Sequence, residues 1–229
     1  MLKRLLDMIV SASALLLLSP ILLIICLILR FSGEGEVFFG QERIGYKGKP
    51  FRITKFATMV KSAAVIAQGD YTVQNDPRVL PVGRFLRKSK INELMQLWDV
   101  LRGEMSLVGP RPQIPTTQAY YPPFYQDVLV HVRPGITGVG SLAFRDEEAI
   151  LTRAVDRDYC YMRQIIPYKA ELENWYAANR SLLIDVALIG LTAWYVVSPR
   201  STALLRLLPG SLHRDISSFD GIEPQERQE

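Results

Sequence analysis

The sequence predicts a mostly helical α/β chain: a membrane helix at the N-terminus, one small domain of helices and short strands, and a polar tail. Three observations predict it. Residues 8–29 are 22 consecutive positions without a charge, long enough to cross the hydrocarbon core of a bilayer. Residues 36–51 set short apolar pairs between Gly45, Gly48 and Pro50, the punctuation of a hairpin. Leu94, Leu97, Trp98 and Leu101 recur at helical spacing. With 229 residues the chain can build one well-buried domain with attachments but is short for two independent cores. The boundaries read as 1–30 for the membrane helix, 31–197 for the domain and 198–229 for the tail.

Composition narrows the partners without choosing one. A formal charge of +4 is compatible with phospholipid headgroups, nucleotides or nucleic acid, but no recognised nucleic-acid motif is present. The two cysteines, Cys26 and Cys160, stand far apart in unlike sequence, so neither a disulfide framework nor a metal cluster is indicated. His131 is one of only two histidines, and no zinc-ligand spacing occurs.

Taken in order, the first element carries Ser19-Pro20 near its middle, where proline removes a backbone donor and a neighbouring serine can satisfy the freed carbonyl. Lys3 and Arg4 precede it and Arg30, Arg43, Lys47 and Lys49 follow, so the positive-inside rule sets no direction of crossing. A span and a re-entrant helix both remain open on these residues. After the hairpin, residues 51–59 bring Arg52 and Lys55 close to aromatic side chains, either as a solvated strand or as phosphate contacts beside a membrane. Residues 61–74 read as a loop or short helix. Turn signals at 76–78 and 81–84 lead into a basic run of Arg84, Arg87, Lys88 and Lys90.

Ser89 is then the expected cap of the central helix, with Asn92 and Glu93 in its first turn and Gly103 as its stop. By spacing alone Glu93 is a first-turn acid favoured by the helix dipole. In residues 106–112, SLVGPRP, Arg111 lies between two prolines that fix its backbone, and a guanidinium so held can grip a phosphate with two hydrogen bonds. Residues 131–138 repeat the Arg-Pro arrangement at Arg133 and add glycines around Thr137 that let backbone approach a ligand. Arg145, Asp146, Glu147 and Glu148 read as a solvated helix start rather than a pocket wall. Residues 156–180 read as a helix of alternating charge. Residues 182–197 are apolar but interrupted by Asp185, an expected interfacial helix with Trp194 and Tyr195 at headgroup depth. The tail turns polar at Ser198, and 220–229 is expected to be disordered.

Several motifs in one order, namely Lys3-Arg4 with Asp7, Ser19-Pro20, VFFGQERIG, FRITKFATM, the central Asn-Glu-Leu, SLVGPRP and RPGITG, resemble the bacterial sugar transferases, the monotopic polyprenyl-phosphate phosphoglycosyl transferases. The resemblance covers about residues 3–195. It implies a re-entrant helix hinged at Ser19 and Pro20 and a catalytic domain on the cytoplasmic face of the bacterial inner membrane. It also implies transfer of a phospho-sugar from a UDP-sugar to undecaprenyl phosphate, with release of UMP and a need for Mg²⁺. Expected partners are these two substrates and membrane lipids, with no nucleic acid; a homodimer is compatible.

Family members begin the central helix with an Asp-Glu pair, the aspartate a nucleophile and the glutamate a metal ligand. Asn92 and Glu93 occupy those positions here, so Glu93 is the expected metal ligand, and Lys55, Arg87, Arg111, Arg133 and Thr137 the expected substrate contacts. An amide is a poor nucleophile. Three accounts follow: an active enzyme working through Glu93 or by direct attack of the lipid phosphate; a weak relative acting as a membrane scaffold or regulator; or a substitute acid at Asp99, roughly 10 Å along the helix. Ala57 stands where many members carry a further lysine. Residues 141–151 follow another branch of the family.

Overall fold

The computed structural model describes residues 2–64, 72–198 and 201–219. The first element, α1 (Leu2–Phe31), is one helix with Pro20 inside it. Proline has no N–H to offer the carbonyl four residues back, and the Ser19 hydroxyl donates to that carbonyl, Leu16 O, at 2.7 Å. The orphan acceptor is thus satisfied where lipid could not satisfy it. Asp7, Ser11, Leu22, Ile25 and Leu29 are buried at three- and four-residue spacing, so one stripe runs along both halves of the helix. Most of the opposite face of α1, including Leu16, Leu17, Ile21, Leu23 and Ile24, is exposed.

Both ends of that stripe rest on the same domain. At the C-terminal end, Leu22, Ile25 and Leu29 pack with Phe56 and Leu86. At the other end the contacts are polar. Lys3 Nζ donates to Asp185 Oδ2 at 2.6 Å, and Asp7 accepts from Ser106 Oγ at 2.8 Å and from the Leu107 amide at 3.2 Å. Arg4 donates to the carbonyls of Val100 and Leu101 at 2.6 and 3.1 Å, satisfying the last turn of a helix at its negative end.

The expected hairpin is present. Strands β1 (Phe38–Ile44) and β2 (Pro50–Phe56) pair antiparallel, with Lys47 and Gly48 at positive φ in the turn. A 3₁₀ turn at Lys61–Ala64 starts the stretch expected to be loop or short helix; 65–71 lie outside the described residues.

The central helix differs from expectation. Helix α2 (Pro81–Lys88) comes first, and Ser89 ends it: the Ser89 hydroxyl donates back to Phe85 O at 2.8 Å. Lys90 then turns the chain through a left-handed conformation (φ 59°), Ile91–Glu93 form a 3₁₀ turn, and α3 (Gln96–Arg102) starts only at Gln96. A serine can serve either helix end, and Arg87 and Lys88, favourable at a C-terminus, pull Ser89 to the earlier one. The face of α3 that is buried is Gln96, Leu97, Asp99 and Val100, whereas Trp98 is 50% exposed. Gly103 does end the helix, at φ 89°.

Strands β3 (Ser106–Val108) and β4 (Gly135–Thr137), joined through α4 (Phe124–His131), pair in parallel, which sets the two Arg-Pro loops side by side. Only glycine permits this approach. A Cβ on Gly109 would stand 2.2 Å from Arg133 O, and one on Gly135 would stand 2.1 Å from the Gly109 nitrogen.

The remaining helices cover these strands: α5 (Val139–Ala143), α6 (Glu147–Arg153), α7 (Arg157–Tyr159) continuing through a π turn into α8 (Ile166–Asn179), and α9 (Leu182–Val197). The charge that interrupts α9 is accounted for: Asp185 also accepts from the Tyr176 hydroxyl at 2.6 Å. Trp194 is exposed, but Tyr195 is buried, its hydroxyl accepting from the Leu204 amide at 2.8 Å. Polar composition hides a packed tail, since Leu204 and Leu208 are buried and Phe219 meets Phe144 and Tyr168. The disorder expected for 220–229 falls outside the described residues.

Candidate active site

Glu93, in the 3₁₀ turn that splits α2 from α3, is where separate elements converge. Its carboxylate accepts from Lys55 Nζ of β2 at 3.2 Å and from Arg111 Nη2, in the loop after β3, at 2.7 Å. The Lys55 and Glu93 side chains are about six-sevenths buried, so this is an interior ion pair that must be well matched to persist. Position in sequence explains each arm: Lys55 is carried by the hairpin, and Arg111 is directed by the flanking prolines and the β3–β4 pairing.

Arg43 of β1 is a fourth member. Its Nη1 donates to Pro112 O at 3.1 Å, its Nη2 donates to Gln41 Oε1 at 2.6 Å, and its Nε is buried without a partner among the described residues. Sequence reading counted Arg43 only as a flanking positive charge. The signal that could have found it is its cross-strand register with Phe51, in the hairpin that carries Lys55.

Electrostatics follow from burial and sign. Burial alone pushes the Glu93 carboxyl up, yet Arg111 and Lys55 outweigh it and hold the group well below the usual carboxylate range. Burial lowers Lys55 to about 7; Glu93 opposes this, and Arg111 and Arg43 reinforce it. Burial, with help from Arg111, lowers Arg43 to about 10. Three cationic side chains therefore share one carboxylate, and the cluster has spare positive charge for an anion.

Because the Lys55 ammonium loses its proton near neutrality, kcat/KM for an anionic substrate is expected to fall as pH rises above about 7. Its arginine variant does not titrate there and is expected to lose that limb. Initial rates across pH for wild type and Lys55→Arg check this; superimposable profiles reject it.

Asn92, next to Glu93 in the chain, is 7% exposed, and its Oδ1 has no partner among the described residues. The other expected contacts are placed apart from Glu93. Arg87 pairs with Glu148 of α6 at 2.8 Å. Arg133 donates through Nε to Gly103 O at 3.0 Å and lies 4.5 Å from the Tyr46 ring, bracing α3 against the hairpin turn. Thr137 Oγ1 meets Thr192 Oγ1 at 2.7 Å, tying β4 to α9. Asp99 is closed off by Thr54, whose amide and hydroxyl donate to it at 2.8 and 3.0 Å. It fastens α3 to β2. Glu147 and Glu148 are both paired, with Lys169 and Arg87 respectively. Glu173 went unnoticed in the sequence, being one charge in a helix of alternating charge. It is buried and accepts from the Gly140 amide at 3.1 Å, and burial lifts its carboxyl to about 8.

Among the described residues no three His, Cys, Asp or Glu side chains gather into a metal site. Glu93 supplies a carboxylate, and Asn92, next to it in the chain, has a buried Oδ1 with no partner among the described residues. That set fits Mg²⁺, which binds through one or two protein oxygens, keeps waters and leans on substrate phosphates.

The family model described as bacterial sugar transferase matches residues 1–199. The exopolysaccharide production protein ExoY of Rhizobium meliloti is 37% identical over 207 residues, covering 82% of each chain. The UDP-glucose:undecaprenyl-phosphate glucose-1-phosphate transferase of Escherichia coli is 38% identical over 85% of this chain and 40% of its own length. The undecaprenyl-phosphate galactose phosphotransferase of Salmonella typhimurium is 31% identical over 86% of this chain, again 40% of the relative. The chain spans about four fifths of the first relative and two fifths of the longer ones, and it belongs to the bacterial sugar transferase family.

Proposed function

We propose that this protein is a phosphoglycosyl transferase that moves a sugar-1-phosphate from a UDP-sugar to undecaprenyl phosphate and releases UMP, as a first membrane step in building a glycan. The observation that carries the reading is the partly buried cluster of Lys55, Arg43 and Arg111 around Glu93. Two anionic substrates approach each other only where positive charge offsets their repulsion. Here three cations from three elements supply it. Glu93 is the residue to hold Mg²⁺, which when bound adds charge neutralisation at the phosphates. Arg87, freed from its solvent-exposed partner Glu148, can join them. The names of the relatives support the reaction type, and no observation favours a purely scaffolding role.

The membrane arrangement we propose is re-entrant. Charge at both ends of α1 and the attachment of both ends to one domain support it, because a true crossing would separate those ends by a bilayer. Ser19 and Pro20 are then the hinge, and the exposed apolar residues of α1 face lipid. The domain sits on the cytoplasmic side, where UDP-sugars are made.

Purified protein incubated with undecaprenyl phosphate, Mg²⁺ and a panel of UDP-sugars is expected to release UMP only when both substrates are present. No UMP from any sugar in a broad panel rejects the assignment.

A further inference from the structure

Glu173 of α8 is a buried acid with no place in the chemistry described so far. It is 3% exposed; Oε1 accepts from the Gly140 amide at 3.1 Å, and Oε2 is buried with no partner among the described residues. A half-satisfied carboxyl in the interior costs stability that an apolar side chain would not.

Two glycines make room for it. A Cβ on Gly140 would stand 2.6 Å from Glu173 Oε1, and one on Gly138 would stand 3.4 Å from the same oxygen and 2.2 Å from Gly109 O. The carboxyl therefore lies where the turn after β4 meets the loop after β3 that carries Arg111. Burial lifts it to about 8, and the Gly140 amide, Lys169 and the Arg111 backbone amide oppose the rise. The peptide that bears the guanidinium is thus a neighbour of Glu173 through its N–H. Its carbonyl is held as well, since Gln113 Nε2 donates to Arg111 O at 2.7 Å. The flanking prolines restrict the shape of the loop, and Glu173 is the acid of α8 against which that loop rests.

We propose that Glu173, on the reading that this chain is the transferase argued above, is a positioning residue for Arg111. From behind the loop its carboxyl keeps the Arg111 backbone in register with the turn at Gly138 and Gly140, which aims the guanidinium at Glu93 and at a diphosphate that takes over that contact. Glu173 itself touches no substrate; its effect passes through Arg111.

The test measures the dissociation constant of UDP, with Mg²⁺ present, for the full chain in one detergent. Glu173→Leu is expected to weaken UDP binding about fivefold, whereas Glu173→Gln, which keeps an acceptor oxygen, stays within about twofold of wild type. Gly140→Ala keeps the carboxyl but displaces it, so it too is expected to weaken binding about fivefold, and it carries the test if the leucine variant does not fold. In an Arg111→Ala background neither change is expected to weaken binding further, because the residue through which Glu173 acts is gone; a side chain that only stabilises the fold would cost the same factor in both backgrounds. Equal losses with and without Arg111, a loss in Glu173→Gln as large as in Glu173→Leu, or wild-type affinity in both Glu173→Leu and Gly140→Ala would overturn the inference while leaving the transferase assignment to its own assay. Absence of UMP release by the wild type in that assay overturns the assignment and this inference with it.

Discussion

Glu93→Gln is expected to lower kcat for UMP release by about 100-fold or more, equivalent to about 2.7 kcal/mol of transition-state stabilisation, while binding of the UDP-sugar stays the same or tightens. Glutamine keeps the shape of the side chain and removes its charge. Lys55 and Arg111 then meet the diphosphate with nothing competing for them, so ground-state binding does not suffer. The carboxylate oxygens that would hold Mg²⁺ are gone, so the charge developing on the leaving phosphate is less well stabilised. The fold is expected to survive because glutamine keeps the volume of the side chain and its Oε1 can still accept from Arg111. Initial rates separate the two effects, and a variant with unchanged kcat would remove Glu93 from the chemistry.

Asp185→Ala is expected to destabilise the protein by about 3 kcal/mol, the lower end of the range for breaking a buried pair, since Lys3 keeps some contact with solvent. The loss falls on one place: Lys3 and the Tyr176 hydroxyl both donate to Asp185, so its removal leaves a cation and a hydroxyl to share the Val108 carbonyl under the N-terminal end of α1. Denaturant unfolding in a fixed detergent measures it. The double change Lys3→Met with Asp185→Leu is expected to recover much of the loss, because it removes both charges together. An additive double variant would show that the pair is not coupled.

Much of this architecture is legible in the chain because it depends on local chemistry. The hairpin follows from Gly48 and Pro50, the end of α3 from Gly103, and the direction of Arg111 from its two prolines. What escaped reading depends on partners far away in sequence. Ser89 is a local exception: a serine serves either helix end, and Arg87, Lys88 and the left-handed turn at Lys90 make it an end here. Trp98 follows the helical spacing of Leu94 and Leu101 yet faces outward, because α1 and β2 claim the adjacent face that carries Asp99 and Val100. Arg133 matched Arg111 in local sequence, but the parallel pairing of β3 with β4 turns it toward Gly103 and Tyr46. Asp185 looked like an interruption of an apolar helix until Lys3 was found against it. In the site, Glu93 and Arg111 were visible as motifs, whereas Arg43 became visible only once the hairpin register was known.

The pairing of Lys3 with Asp185 also constrains the order in which the protein can be made. These residues are 182 positions apart, and at common rates of synthesis the second appears on the order of 10 s or more after the first. In that interval α1 is complete, its apolar surface needs shelter, and its polar anchors have nothing to grip. Newly made α1 must therefore settle at the bilayer before the domain can close over Lys3, Arg4 and Asp7. A helix synthesised late, α9, thus fixes the position of α1.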